Sequence, residues 1–134
     1  MQGAPLQVPP NCDLTLGMVC VEKSVPGRTV WQVAADERFA NPAGVLQGGF
    51  VAAICDSGMG AASLTWARGR KVYSSNVEMK VSFMAPVWPG QLLTCEARIV
   101  SGGRRVVFAE AEVRCADGKL AAKASSTYLL SMRD

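Results

Sequence analysis

The sequence contains no histidine. Without an imidazole there can be no Ser-His or Cys-His pair to activate a nucleophile, and no histidine to ligate a metal. Disulfide scaffolding is also poorly supplied. The five cysteines (Cys12, Cys20, Cys55, Cys95, Cys115) are odd in number and never stand in C-x-x-C spacing. They read as reduced, buried, small apolar residues of a cytoplasmic protein. Residues Met1 to Pro10 hold neither a basic segment nor an apolar core, so no signal peptide is expected. One-sided charge is missing too. The formal net charge is +3 and the Lys and Arg residues are scattered along the chain, which argues against a nucleic-acid partner. The densest basic stretches are Arg104–Arg105 and Arg68-Gly69-Arg70-Lys71. Two short basic turns suit a phosphate-bearing small molecule about as well as they suit solvated loop charge.

What is present is a globular composition. The chain has 134 residues, 49% of them apolar, and 13 glycines. This fits one domain over 1–134, with residues 1–14 expected to be extended or loosely ordered. Turn signals recur at Pro26-Gly27, Pro89-Gly90, Ser101-Gly102-Gly103 and Asp117-Gly118. Between them the residues alternate. Val77, Met79, Val81 and Phe83 form one side of a strand, against Glu78, Lys80 and Ser82 on the other. Val107, Ala109, Ala111 and Val113 repeat the pattern against Glu110, Glu112 and Arg114, and Leu120, Ala122, Ala124, Ser126, Tyr128 and Leu130 form a third inward row. Residues 17–24, 29–35 and 91–100 are also strand-like. One segment departs from this period. Gln47 to about Ala67 is free of proline, rich in Ala, Met and Leu, and apolar nearly all round. It predicts a helix of roughly 30 Å enclosed by protein; its central Asp and several glycines argue against a membrane span. The expected fold class is α+β, an antiparallel sheet of five to six strands wrapped around one long central helix, with the helix inserted between the second and third strands.

Asp56 stands in the middle of that helix, flanked by Ile54, Cys55, Met59, Gly60 and Ala61. A buried unpaired carboxylate costs several kcal/mol, so such a group is usually paired, protonated or functional. A structural Asp that bonds a neighbouring strand or reaches solvent at an interface is the competing account. Gly48 and Gly49 open the helix, where free backbone N–H groups at the positive end of the dipole could hold a ligand's carbonyl oxygen, or where a tight turn simply needs glycine. Eight residues separate Gly48 from Asp56, about 12 Å along one helix, too far for one reacting group to touch both easily. Two antiparallel helices meeting across a dimer axis would bring Gly48 of one subunit to Asp56 of the other.

The stretch Asn41-Pro42-Ala43-Gly44-Val45-Leu46-Gln47-Gly48-Gly49, followed by Ala52-Ala53-Ile54-Cys55-Asp56-Ser57, resembles the phenylacetyl-CoA-type hotdog thioesterases, whose pattern is N-x-x-G-x-x-H-G-G and then an acidic residue seven or eight positions into the helix. Val77 to Pro86, the Pro86-to-Gly90 turn and Gly118-Lys119-Leu120 fit the same family, and the resemblance covers about residues 15–130. It implies a hotdog fold and hydrolysis of acyl-CoA by a homodimer or homotetramer, with no cofactor, coenzyme A being part of the substrate. It further implies Asp56 as general base or nucleophile, the Gly48 amide as oxyanion donor with Gly49 beside it, and Asn41 orienting the water or the opposite subunit's Asp. Taken without the resemblance, Asn41 before Pro42 is a good turn residue. The turn Ser101-Gly102-Gly103-Arg104-Arg105 matches the place where relatives hold coenzyme A, with Arg104 set to meet phosphate. Asn76 takes the place of a Ser or Thr beside the acid, with Ser74 and Ser75 close by as alternatives.

One position departs from the pattern: the motif histidine is Gln47, which can donate a hydrogen bond but cannot titrate. This keeps a second class in view, an acyl-CoA-binding hotdog protein without turnover. A hotdog dehydratase is disfavoured, since those relatives rely on histidine. Phe50, Met59, Met79, Phe83 and Met84 are candidates to line the acyl pocket or to fill the core.

Overall fold

The third strand of this chain does not pair with the strand that follows it, and that single fact positions the site. In the computed structural model, which describes residues 6–133, the elements run α1 (Asn11–Leu16), β1 (Met18–Glu22), β2 (Arg28–Ala34), a 3-10 turn (Glu37–Phe39), α2 (Gly48–Trp66), β3 (Val72–Phe83), β4 (Leu92–Gly102), β5 (Val106–Arg114) and β6 (Leu120–Met132). The strands form one antiparallel sheet in the order β1-β2-β4-β5-β6-β3. Tight turns join β1 to β2, β4 to β5 and β5 to β6. The long excursion through α2 carries β3 to the far edge, where it pairs with β6.

This is the hotdog arrangement: a six-stranded antiparallel sheet and one long helix, α2, entering between the second and third strands. The helix bounds agree with the expected Gln47–Ala67, since those two residues are its caps. Its buried residues are Val51, Ile54, Cys55, Gly58, Met59, Ala62 and Ser63, a stripe at helical spacing. The helix is covered on most sides, as expected, but less fully opposite this stripe. Ala53, Asp56, Ser57 and Gly60 lie on the other side and are half-buried within one chain. The buried stripe is made of small residues because the sheet comes very close. A β-carbon on Gly58 would lie 3.2 Å from Cys95 Sγ and 3.4 Å from Ala97 Cβ. Facing it, the inward rows of β4 and β5 are Leu93, Cys95 and Ala97, then Val107, Ala109, Ala111 and Val113, all at most 1% exposed. The buried hydroxyls are paired: Thr29 donates to the Gly58 carbonyl (2.9 Å) and accepts from Trp31 Nε1 (2.9 Å).

Three expectations are revised. Asn11 to Leu14, expected extended or loosely ordered, form the first turn of α1, while residues 1–5 lie outside the described part. β3 begins at Val72, five residues before its apolar alternation, and a bulge between Asn76 and Glu78 breaks the period. Its apolar side is only partly core. Val81 packs against the core, whereas Val77, Met79 and Phe83 are 58%, 38% and 55% exposed. Among the described residues, no helix is long and apolar enough to cross a membrane.

Candidate active site

Asp56 is held from two strands at once. Tyr128 Oη donates to Asp56 Oδ1 at 2.6 Å and lies 3.0 Å from the Asp56 carbonyl oxygen. Asn76 Nδ2 donates to the same Oδ1 at 2.9 Å and lies 3.3 Å from Tyr128 Oη. Asn76 and Tyr128 are register partners across β3 and β6, so their side chains rise side by side toward α2. Ser126 Oγ donates to Asn76 Oδ1 at 3.3 Å, which leaves the amide's NH₂ turned to the carboxylate. Among the described residues the other carboxylate oxygen, Oδ2, takes no hydrogen bond. Burial, and next the bond to Asp56, push the Tyr128 phenol well above its usual range, so it stays a donor.

The alternatives to Asn76 do not reach the acid. Ser74 Oγ is 2.5 Å from Ser63 Oγ on α2, about two turns beyond Asp56. Ser75 is exposed, and strand alternation turns it to the opposite face.

At the start of α2, Gln47 is the N-cap in an extended conformation, with no side-chain hydrogen bond to the helix. It is exposed, and its own N–H donates to the Phe39 carbonyl at 2.9 Å. The amides of Gly48 and Gly49 are thus left uncapped, as first-turn N–H groups are unless a side chain or ligand meets them. Phe83 packs on Gly48, whose missing β-carbon would lie 3.0 Å from the ring's Cζ, whereas nothing lies within 4 Å of a β-carbon on Gly49. Asn41 shapes the approach: its Oδ1 accepts from the amides of Ala43 (2.9 Å) and Val45 (3.4 Å). Within one chain this is the turn-building part that asparagine plays before proline. Beside this helix end runs an open groove of about 410 Å³, lined by Leu46, Gly48, Val51, Phe83, Met84 and Pro86 among others. Of the candidates for an apolar pocket, Phe83 and Met84 line it. Met59 is fully buried in the core, Phe50 stacks on Phe39 at 4.1 Å, and Met79 stands beside Asn76 on β3.

The turn Ser101 to Arg105 is exposed at the tip of the β4–β5 hairpin. It lies at the opposite end of α2 from Gly48. Trp66 Nε1, on the last helical residue, donates to the Gly103 carbonyl at 3.1 Å, and Arg70 Nη1 donates to the Arg104 carbonyl at 3.2 Å. The fold thereby joins the two basic turns of the sequence into one surface. Gly102 is there for packing, since a β-carbon would meet Val107 Cγ1 at 2.6 Å; Gly103 has open space. A helix of 19 residues is about 28 Å long, so one chain does not bring Arg104 and Arg105 to its own Gly48.

A family model described as "Thioesterase superfamily" matches residues 43–122. The chain belongs to the thioesterase superfamily. An inferred esterase of Saccharolobus solfataricus is 35% identical over 105 residues, 78% of this chain and 73% of that one. The human protein named acyl-coenzyme A thioesterase 13 is 27% identical over 118 residues, 87% of this chain and 83% of that one. Among solved structures, a Ralstonia eutropha phenylacetic acid degradation-related protein is 31% identical, with a TM-score of 0.80 over 94% of this chain and 92% of that one.

For this thioesterase, sequence reasoning passed over Tyr128 and placed it in an inward row of core residues. The signal was present: a buried phenol needs a partner for its hydroxyl, and the mid-helix carboxylate needed a donor. What no window of sequence contains is the β3–β6 pairing that brings the two together.

Proposed function

We propose that this thioesterase hydrolyses acyl-CoA, converting R–CO–S–CoA and water to a free acid and coenzyme A. Asp56 serves as general base or nucleophile, and the Gly48 amide donates to the carbonyl oxygen as negative charge develops on it. One observation carries the reading: an uncapped helix N-terminus borders an apolar groove, and two turns along the same helix a carboxylate keeps one oxygen free. The name of the human relative supports coenzyme A as the thiol carrier. Gly49 leaves room for the thioester, Phe83 walls the groove for the acyl group, and Gln47 orients without titrating.

The site is completed by a second copy of the chain, as a homodimer or a dimer of dimers. Asp56 borders the open, small-residue side of α2, and the exposed apolar side of β3 offers an edge to cover. Two helices packed antiparallel would set one subunit's Gly48 against its partner's Asp56, and would bring the partner's Ser101 to Arg105 turn, with Arg104 and Arg105, toward the phosphates of coenzyme A. Asn41, whose carbonyl oxygen is committed to its own loop, would offer its amino group across that seam. The five cysteines, all free, suit a reducing cytoplasm.

Free-thiol release from a panel of aryl- and alkyl-acyl-CoAs tests this, comparing wild type with Asp56→Ala of verified oligomeric state. Turnover by wild type with a loss of roughly a hundredfold or more in the variant is expected. Undiminished turnover in the variant sinks the role of Asp56. Binding of acyl-CoA by wild type without thiol release sinks hydrolysis and leaves a binding protein.

A further inference from the structure

We infer that Tyr128 is a positioning residue of this reaction, which together with Asn76 commits Asp56 Oδ1 and so presents Oδ2 as the one oxygen that meets water or the thioester carbon. The inference rests on the hydrolytic reading of Asp56 given above. Its basis is the geometry of the cluster. A carboxylate on a half-buried helix face can ordinarily rotate about its side-chain bonds and offer either oxygen. Here both donors converge on one, Tyr128 at 2.6 Å and Asn76 at 2.9 Å. Tyr128 also lies 3.0 Å from the carbonyl oxygen of the same residue, so its hydroxyl spans the side chain and backbone of Asp56.

The donors are themselves fixed. Tyr128 is 2% exposed, and Asn76 is oriented by Ser126, 6% exposed, through its carbonyl oxygen. Each donor therefore comes from a strand paired in the sheet rather than from a loop. Hydrogen bonds to an ionised carboxylate are about twice as strong as neutral ones, and holding a reacting group within a fraction of an ångström has large kinetic value. A phenol that keeps its proton cannot serve as a base, so its part is to donate and to hold. Tyr128 does not itself touch the reacting atoms.

The test uses the full-length oligomer and two kinds of readout. Tyr128→Phe keeps the ring and removes the hydroxyl. Its kcat is expected to fall about ten- to a hundredfold while KM for acyl-CoA stays within about twofold. Asn76→Thr keeps a donor and is expected to retain most of kcat, while Asn76→Val, of the same shape, is expected to lose it; a purely structural role would treat the two alike. Independently of turnover, a crystal structure of Tyr128→Phe is expected to show Asp56 in more than one side-chain conformer where wild type shows one. Wild-type kcat in Tyr128→Phe, a rise in KM matching the fall in kcat, or an unmoved Asp56 in the variant structure overturns the inference. A wild type that releases no thiol overturns the hydrolytic reading instead, and the conformer comparison then still decides whether Tyr128 positions the carboxylate.

Discussion

The ring of Phe83 lies so close over the backbone of Gly48 that a β-carbon on the glycine would stand 3.0 Å from Cζ and 3.2 Å from Cε1. The last residue of β3 thus packs on the first residue of α2, and both line the apolar groove. Gly48→Ala keeps the N–H but pushes the ring aside, which a side chain on a residue 55% exposed can accommodate. Stability is expected to change by less than about 1 kcal/mol, while kcat/KM falls by about tenfold or more as the methyl group and displaced ring crowd the carbonyl's approach. Unchanged kcat/KM in a folded Gly48→Ala would mean that the thioester carbonyl does not approach past the α-carbon of Gly48.

Gly102 and Gly103 are adjacent but not equivalent. Gly102→Ala drives a methyl group to within 2.6 Å of Val107 Cγ1 and 3.2 Å of its Cα, a backbone atom that cannot swing away. A loss of about 1–3 kcal/mol is expected for Gly102→Ala and within about 0.5 kcal/mol for Gly103→Ala, read as shifts in urea midpoint. If the two variants unfold together, the hairpin is looser than its geometry implies.

Tyr128 gives a stability dependence on alkaline pH. Its folded-state pKa is raised, by burial first and by the bond to Asp56 next. The folded form therefore keeps the proton where an unfolded tyrosine, near pH 10, begins to lose it. The stability due to this shift is complete below about pH 10 and is lost as pH rises above it. The difference in unfolding free energy between wild type and Tyr128→Phe should thus be larger at about pH 8 than at about pH 11. An equal difference at both values would mean that the phenol is not held protonated.

The exposed apolar side of β3 predicts self-association through that edge. Val77→Lys, at a side chain 58% exposed in the single chain, is expected to shift the oligomer toward monomer in analytical ultracentrifugation and to lower thioesterase activity in parallel. Monomers of full activity would refute a site shared between subunits.

The absence of histidine likewise predicts no activity limb near pH 6.5, where an imidazole would titrate. A pH–rate profile that bends sharply there would count against the assignment of Asp56 as the acting group.

Much of the frame is local and could be read from the chain alone. The bounds of α2 follow from a proline-free run opened by two glycines, and β5 and β6 follow from strict alternation, because both depend on near neighbours in sequence. Asp56 stood out because a carboxylate within an apolar run is costly wherever the run is buried. Three features were decided only by the tertiary structure. The pairing of β3 with β6, from Val72↔Met132 to Phe83↔Ala122, sets Tyr128 and Asn76 on one oxygen of Asp56, although 72 residues separate Tyr128 from the acid. The placement of β3 at the sheet's edge leaves Val81 packed on the core and Val77, Met79 and Phe83 exposed, which alternation alone does not show. The length of α2 holds Arg104 and Arg105 away from Gly48 of the same chain. The physical reason is common to all three. Turn chemistry and periodicity act over a few residues, whereas strand order is chosen by how the whole sheet can cover one helix, and that choice decides which side chains meet.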